Sequence, residues 1–326
     1  MKIKTYSECK FLDEIFSNVP NSAFGELLLA SNNEITKWNY LFELIYQKSE
    51  LSLFDCKKED LVLKAKANPF YQKLINQSLS GSIRLNFNNS LNPEKIDWKQ
   101  VPFGSVHCYF KSILNKPQNL LICNFDNWKD KIATISNAKS YQVSSVVRNN
   151  TFSGWQFLKK FNLPCDAAII FDRYVLKNPS DLENNLFAIL GNIIPEDVQD
   201  DFHLTIMAKK SECSDFLKSK NKIESFLKKN YNSRVKVGFV LADKDLPHDR
   251  EILTNYYRIS SGNSFNYYSS QNKIVLDTKL DFIPVLSSDY KNFISKLNEL
   301  YVFVQGIHET HGNKRNKIFD LLKFHR

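Results

Sequence analysis

The chain has 326 residues, enough for two domains of ordinary size or one large one. A hydrophobic content of 43% with 13% aromatics excludes a disordered chain, and the formal net charge of +9 points to an acidic partner: nucleic acid, anionic lipid or an acidic protein. Six scattered cysteines without a Cys-x-x-Cys pair, no apolar leader in MKIKTYSECKFLDE, and no run of transmembrane length predict a cytoplasmic, not transmembrane, protein with reduced thiols.

Taken in order, residues 1–90 mix short helical patterns with polar loops. Glu34 to Gln47 spaces Trp38, Leu41, Phe42, Leu44 and Ile45 as a helix does, and Asp60 to Ala67 and Pro69 to Ser78 predict two more, the latter with Pro in its first turn. Ser82 to Phe87 alternates like a strand. Two apolar runs between Val106 and Phe125 flank a Lys-Pro-Gln turn and predict a hairpin or paired strands. Gly154 to Phe161 reads as a short connecting helix. These elements predict a mixed α+β domain over residues 1–160 with no interpretable motif.

The pattern changes at Pro164. Cys165 to Leu176 is an apolar run suited to a strand buried on both faces. A helix follows with Ser180 as N-cap and Glu183 at the capping-box position, then a strand over Phe202 to Ala208, a helix over Lys218 to Tyr231 and a strand over Arg234 to Leu241. Strand, helix, strand, helix, strand is an α/β pattern. One or two strands between Lys273 and Leu286 and a helix over Asp289 to Val304 complete a second domain, residues 161–326.

Pro247 to Tyr268, PHDREILTNYYRISSGNSFNYY, carries the clearest chemical signal. His248 and Arg250 stand two apart, Asn255 follows after four residues, Gly262 after six more, and Ser264 and Asn266 come next. Ile252, Leu253, Tyr256, Tyr257 and Ile259 form the apolar frame of two short strands. An imidazole, a guanidinium, small hydrogen-bonding side chains and a glycine suit a phosphate or another oxyanion.

This spacing resembles the phospholipase D signature, His-x-Lys, four residues, Asp, six residues, Gly, then Ser and Asn. Here Lys is Arg250, Asp is Asn255, and the Ser is one place late. The first two departures make the match closer to a degenerate branch of that superfamily: the C-terminal domain of MIT-domain proteins, with its His-Asp-Arg-Glu-Ile run, and that domain's bacterial relatives. The resemblance covers about residues 165–305. It implies a phospholipase D-like mixed sheet flanked by helices, with Arg250, Asn255, Ser264 and Asn266 binding phosphate and His248 catalytic only if activity is retained. Hydrolysis in that superfamily uses two copies of the motif, so this chain would act as a phosphodiesterase or nuclease only as a homodimer. The eukaryotic branch binds acidic phospholipid, and the bacterial relatives imply a prokaryotic antiphage defence system with partner proteins from its operon.

Other constellations carry less. His308 and His311 stand three apart, without the further ligands that zinc needs. Asp172-Arg173 ends a buried strand, where α/β folds place sites, but reads as an ion pair or edge charge. His203 reads as a core or strand-edge residue. Gly262-Asn263-Ser264 precedes no helix and is no P-loop, so neither cofactor nor metal is expected. Lys314, Arg315 and Lys317 offer a basic tail for nucleic-acid contact, or one face of a solvated helix. The favoured reading is a non-catalytic, phosphate-recognising α/β protein whose first ligand is nucleic acid, with anionic phospholipid or a protein partner as alternatives.

Overall fold

The computed structural model describes residues 3–19, 33–97, 107–111, 120–146, 151–161, 163–196, 198, 201–242, 250–287, 295, 299, 302 and 309–312. The chain divides into two compact units, one drawn from residues up to Ser136 and one from Asn137 onward. Both are α/β, each built on its own sheet.

In the first unit, β1 (Ile3–Ser7), β2 (Ser49–Leu53), β3 (Arg84–Phe87), β4 (His107–Phe110) and β5 (Leu120–Cys123) form a sheet of order β3-β2-β1-β4-β5. Every pairing in it is parallel. The helices are α1 (Cys9–Ser17), α2 (Asn33–Glu43), continued by a π-helical turn over Leu44–Lys48, α3 (Lys58–Ala67), α4 (Pro69–Leu79) and α5 (Trp128–Thr134). The unit is thus α/β in type where short helices and loops had suggested α+β. β1 and β2 were hidden because Thr5, Ser7, Ser49 and Ser52 interrupt their apolar runs, although all four are buried. The two runs between 106 and 125 are neighbouring strands but not a hairpin, since β4 and β5 run parallel. α4 starts as expected: Asn68 caps it by accepting from the Phe70 amide at 2.9 Å, with Pro69 at its first position.

Alternation along the strands sorts this sheet into an apolar face, including Leu51, Leu53, Phe110 and Leu121, and a face carrying Tyr6, His107 and Tyr109. Aromatic contacts, with Phe16 stacked on Phe70 at 5.0 Å, Phe11 tilted against Phe110 at 5.3 Å and Trp38 edge-on to Trp128 at 4.8 Å, tie the helices together and to the apolar face. On the other face Tyr6 and His107 stack at 5.8 Å, with Tyr6 Oη 3.2 Å from His107 Nδ1. Burial pushes the tyrosine up to about 12 and the histidine down to about 3. His107 is therefore neutral in the fold, whereas the unfolded chain takes up a proton near 6.5. Stability should be full above pH 6.5 and fall below it, by up to about 1.4 kcal/mol per pH unit from this group. Urea unfolding at pH 7, 6 and 5 should show that slope in the wild type and a flatter one in His107→Phe.

The second unit holds an eight-stranded sheet in the order β13-β9-β8-β7-β10-β11-β12-β6. Its strands are β6 (Lys139–Val143), β7 (Ala167–Phe171), β8 (Phe202–Lys209), β9 (Val235–Ala242), β10 (Arg250–Thr254), β11 (Tyr257–Ser261), β12 (Thr278–Pro284) and β13 (Glu309–Gly312). β7, β8 and β9 run parallel, and the strands on either side are antiparallel. The three parallel strands are the near-continuous apolar runs of the sequence, and almost every residue in them is buried. A π-helical turn (Glu183–Phe187) leading into α6 (Ala188–Ile193) joins β7 to β8, and α7 (Phe216–Tyr231) joins β8 to β9. Ser180 is not an N-cap. Its hydroxyl donates to Asp181, and the side-chain amide of Asn185 holds the Asp181 carbonyl at 2.9 Å.

Trp155–Phe161 is a 3₁₀ helix of this unit, so residues 139–161 lie with it and the expected boundary at 160/161 falls inside it. Trp155 stacks on Tyr267 at 5.7 Å and meets Phe152 and Phe265, which pins the stretch after β11. At one sheet edge, β13 pairs with β9, and His311 packs on Phe216 at 4.7 Å. His308 lies outside the described residues, as does most of the helix expected over 289–304, although Ser295, Glu299 and Val302 are helical.

A candidate phosphate-binding edge

Strand direction decides which residues meet. β7, β8 and β9 all end at one edge of the sheet. Because β10 is antiparallel to β7, its first residue, Arg250, lies at that carboxyl edge, beyond the Glu251–Phe171 pair. β11 returns to the same edge, where Ser261 pairs with Arg250 and leads into Gly262–Tyr268. Asp172, Arg173, Tyr174 and Lys177 leave the end of β7 there, and Lys209 ends β8 beside them, its amide donating to the Arg173 carbonyl at 3.2 Å. The carboxyl edge of parallel strands is where open α/β sheets bind ligands.

Asp172 is the keystone of this edge. Its carboxylate is fully buried and accepts from the Tyr174 amide at 2.9 Å, the Ser264 hydroxyl at 2.7 Å and the Phe265 amide at 2.7 Å. Burial raises its pKa, while these hydrogen bonds and the Arg250 charge pull it back. Around the half-buried Tyr174 ring, Lys177 Nζ lies 5.7 Å from the centroid, Arg250 Cζ 5.8 Å and Arg173 Cζ 6.0 Å. Arg250 also donates, at a long 3.4 Å, to the Gly262 carbonyl. Three cations thus converge on one aromatic side chain.

The four residues expected to share a phosphate fall into three groups. Arg250 stands at the edge. Ser264 and Asn266 stand there too, but their side chains work inside the protein: Ser264 holds Asp172, and Asn266 Nδ2 donates to the Tyr174 carbonyl at 2.7 Å. Asn255 is at the opposite, amino edge, five residues along the strand path from Arg250, which is about 16 Å. There it is fully buried, accepts from the Asp166 and Ala167 amides at 3.2 and 3.3 Å, and donates to Asp166 Oδ1 at 2.7 Å. Its role is to close the start of β7. His248 lies outside the described residues, as do Lys314, Arg315 and Lys317.

Tyr174 and Lys177 were not singled out from the sequence. The available signal was the pair Asp172-Arg173 at the end of an apolar strand, just before Tyr174, which read as an ion pair or edge charge. Glu251 was also missed. It is fully buried in a bidentate pair with Arg258, with Nε to Oε2 at 2.6 Å and Nη2 to Oε1 at 2.5 Å.

The carboxyl edge of the first unit has different chemistry. The N-terminus of α1, directly after β1, is where a doubly wound sheet would seat a phosphate. Here the Asp55 carboxylate fills it, accepting from the Cys9 amide at 2.5 Å and the Lys10 amide at 3.3 Å. All six cysteines are free thiols. Among the described residues no cluster of His, Cys, Asp and Glu could hold a metal, and no helix is long and apolar enough to cross a membrane.

No protein-family model matches the chain, and no curated protein matches it. Among solved structures it is similar to TrmBL2, an archaeal chromatin protein whose structure is described as showing a novel mode of DNA binding, with a TM-score of 0.26 and 12% identity. That alignment covers 54% of each chain, so this protein spans about half the length of the chromatin protein. A likeness of that size bears on neither fold nor ligand.

Proposed function

We propose that this protein recognises phosphate groups of nucleic acid at the carboxyl edge of its second sheet, without hydrolysing them. The observation that carries the reading is the convergence of Arg173, Lys177 and Arg250 on the Tyr174 ring. Guanidinium groups match phosphate oxygens in a planar fork, and a ring among cations suits a base beside its phosphate. The net charge of +9 favours the same partner. The order β7-α6-β8-α7-β9 followed by the β10–β11 hairpin is compatible with the resemblance to a phospholipase D-like domain. The chain carries the motif once, whereas hydrolysis in that superfamily uses two copies, which favours binding over catalysis.

Fluorescence anisotropy with labelled 20-nucleotide DNA and RNA, single- and double-stranded, at 50 and 200 mM salt tests this. Wild-type affinity should fall steeply with salt. Arg250→Ala should bind about tenfold or more weakly, with the log–log salt slope reduced by roughly 0.7–0.9. Equal binding by the variant would remove Arg250 from the site. Binding to phosphatidylserine vesicles but to no oligonucleotide would move the ligand to lipid. Cleavage that disappears in His248→Ala would make the protein a phosphodiesterase.

A further inference from the structure

The turn leaving β7 connects the Arg250–Tyr174 edge to a groove along α7. The Lys177 carbonyl accepts from the Ser214 amide at 3.3 Å and the Ser214 hydroxyl at 2.5 Å, just before α7 begins. Lys222 Nζ, from the second turn of α7, donates to the Pro179 carbonyl at 3.2 Å. The turn is therefore stitched to the outer side of α7. There a cleft of about 670 Å³ opens, lined by Glu183, Phe187, Lys218, Lys222, Phe226 and Lys229, among others.

Two features of this cleft stand out together. Lys218, Lys222 and Lys229 project within about 40° of one another around the helix axis, over a rise of about 16 Å, so they form a rail. Of the two carboxylates lining the cleft, Asp215 caps α7 by accepting from the Lys218 amide at 3.0 Å, so it faces the helix N-terminus. Beside the rail, Phe187 and Phe226 stack face to face at 4.3 Å with 8° between their planes, and both are half-buried. A cationic rail along an accessible aromatic ledge matches a strand that presents phosphates and base faces at once. A duplex hides its base faces, and an acidic peptide has none.

We infer that the groove between residues 183–187 and α7 is a second subsite, which holds unpaired nucleic acid running away from the Arg250–Tyr174 edge. The inference rests on the nucleic-acid reading of that edge and adds strandedness and length dependence to it. Lys218, Lys222 and Lys229 neutralise successive phosphates, while Phe187 and Phe226 carry a base.

The test is anisotropy on the full chain with labelled dT4, dT12, an abasic 12-mer and a 12-base-pair duplex. The variants are Lys218→Ala/Lys229→Ala, which removes two exposed side chains, and Arg250→Ala. Wild type should prefer dT12 to dT4 and to the duplex, and should bind the abasic strand about tenfold more weakly than dT12. The double lysine variant should lose the preference for dT12 over dT4, and its salt slope should fall by about 1.4. If it keeps both while Arg250→Ala loses binding, the groove is no subsite and the edge stands. Equal affinity for duplex, abasic strand and dT12 would overturn the single-strand assignment. Failure of wild type to bind any probe would overturn the edge and the groove together.

Discussion

Replacing Arg258 with methionine should lower the unfolding free energy by about 3–5 kcal/mol, enough to leave a domain of ordinary stability partly unfolded. Glu251 has no exposure to solvent, and both of its carboxylate oxygens are taken by the Arg258 guanidinium. Truncating the arginine strands a buried charge, whereas removing both charges does not. The double variant Glu251→Met/Arg258→Met should therefore recover most of the loss, since apolar residues of similar volume replace a buried pair at little cost. Urea unfolding followed by circular dichroism distinguishes the cases. A single-variant loss under about 1 kcal/mol would show that water reaches the pair. The pair also bears on the site: it clamps β10 to β11 one residue from Arg250, so a frayed hairpin would misplace the guanidinium.

Asp172→Ala should be comparably damaging, at about 3–5 kcal/mol, because it leaves two backbone amides and a hydroxyl without their acceptor in a buried place. Asp172→Asn should cost less, since one oxygen remains to accept. Its effect on ligand is the more telling result. It removes a negative charge next to Arg250 without touching the three cations around Tyr174. Polyanion affinity in the folded Asp172→Asn protein should rise a fewfold, while in Arg250→Ala it falls. Opposite signs for these substitutions, measured by anisotropy at one salt concentration and below the unfolding transition, are the signature of an electrostatic site. A fall in both would make Asp172 a positioning residue whose hydrogen bonds to the Tyr174 and Phe265 amides matter more than its charge.

Much of the second unit was legible along the chain. Ala167–Phe171, Phe202–Lys209 and Val235–Ala242 are mostly apolar because both faces of each strand are covered, and that leaves its mark on nearly every residue. α7 and the β10–β11 hairpin were visible for the same local reason. The first unit was harder to read. α4 announces itself through Asn68-Pro69, but β1 and β2 carry serine and threonine inward, and nothing local distinguishes a parallel β4–β5 pair from a hairpin.

The functional motif divides in the same way. Its spacing located Arg250, Ser264 and Asn266 at one edge, yet grouped Asn255 with them, although a strand of this length carries residues five apart to opposite ends of the sheet. Tyr174 and Lys177 lie some 75 residues before the hairpin and reach Arg250 only because β7 and β10 are antiparallel neighbours. Sequence by itself determined the parallel strands, α7 and the hairpin of the second unit and the start of α4 in the first, since periodicity and capping act over a few residues. Tertiary structure alone decided which chain ends converge at the basic edge, because strand order and direction are set by contacts between residues far apart in the chain.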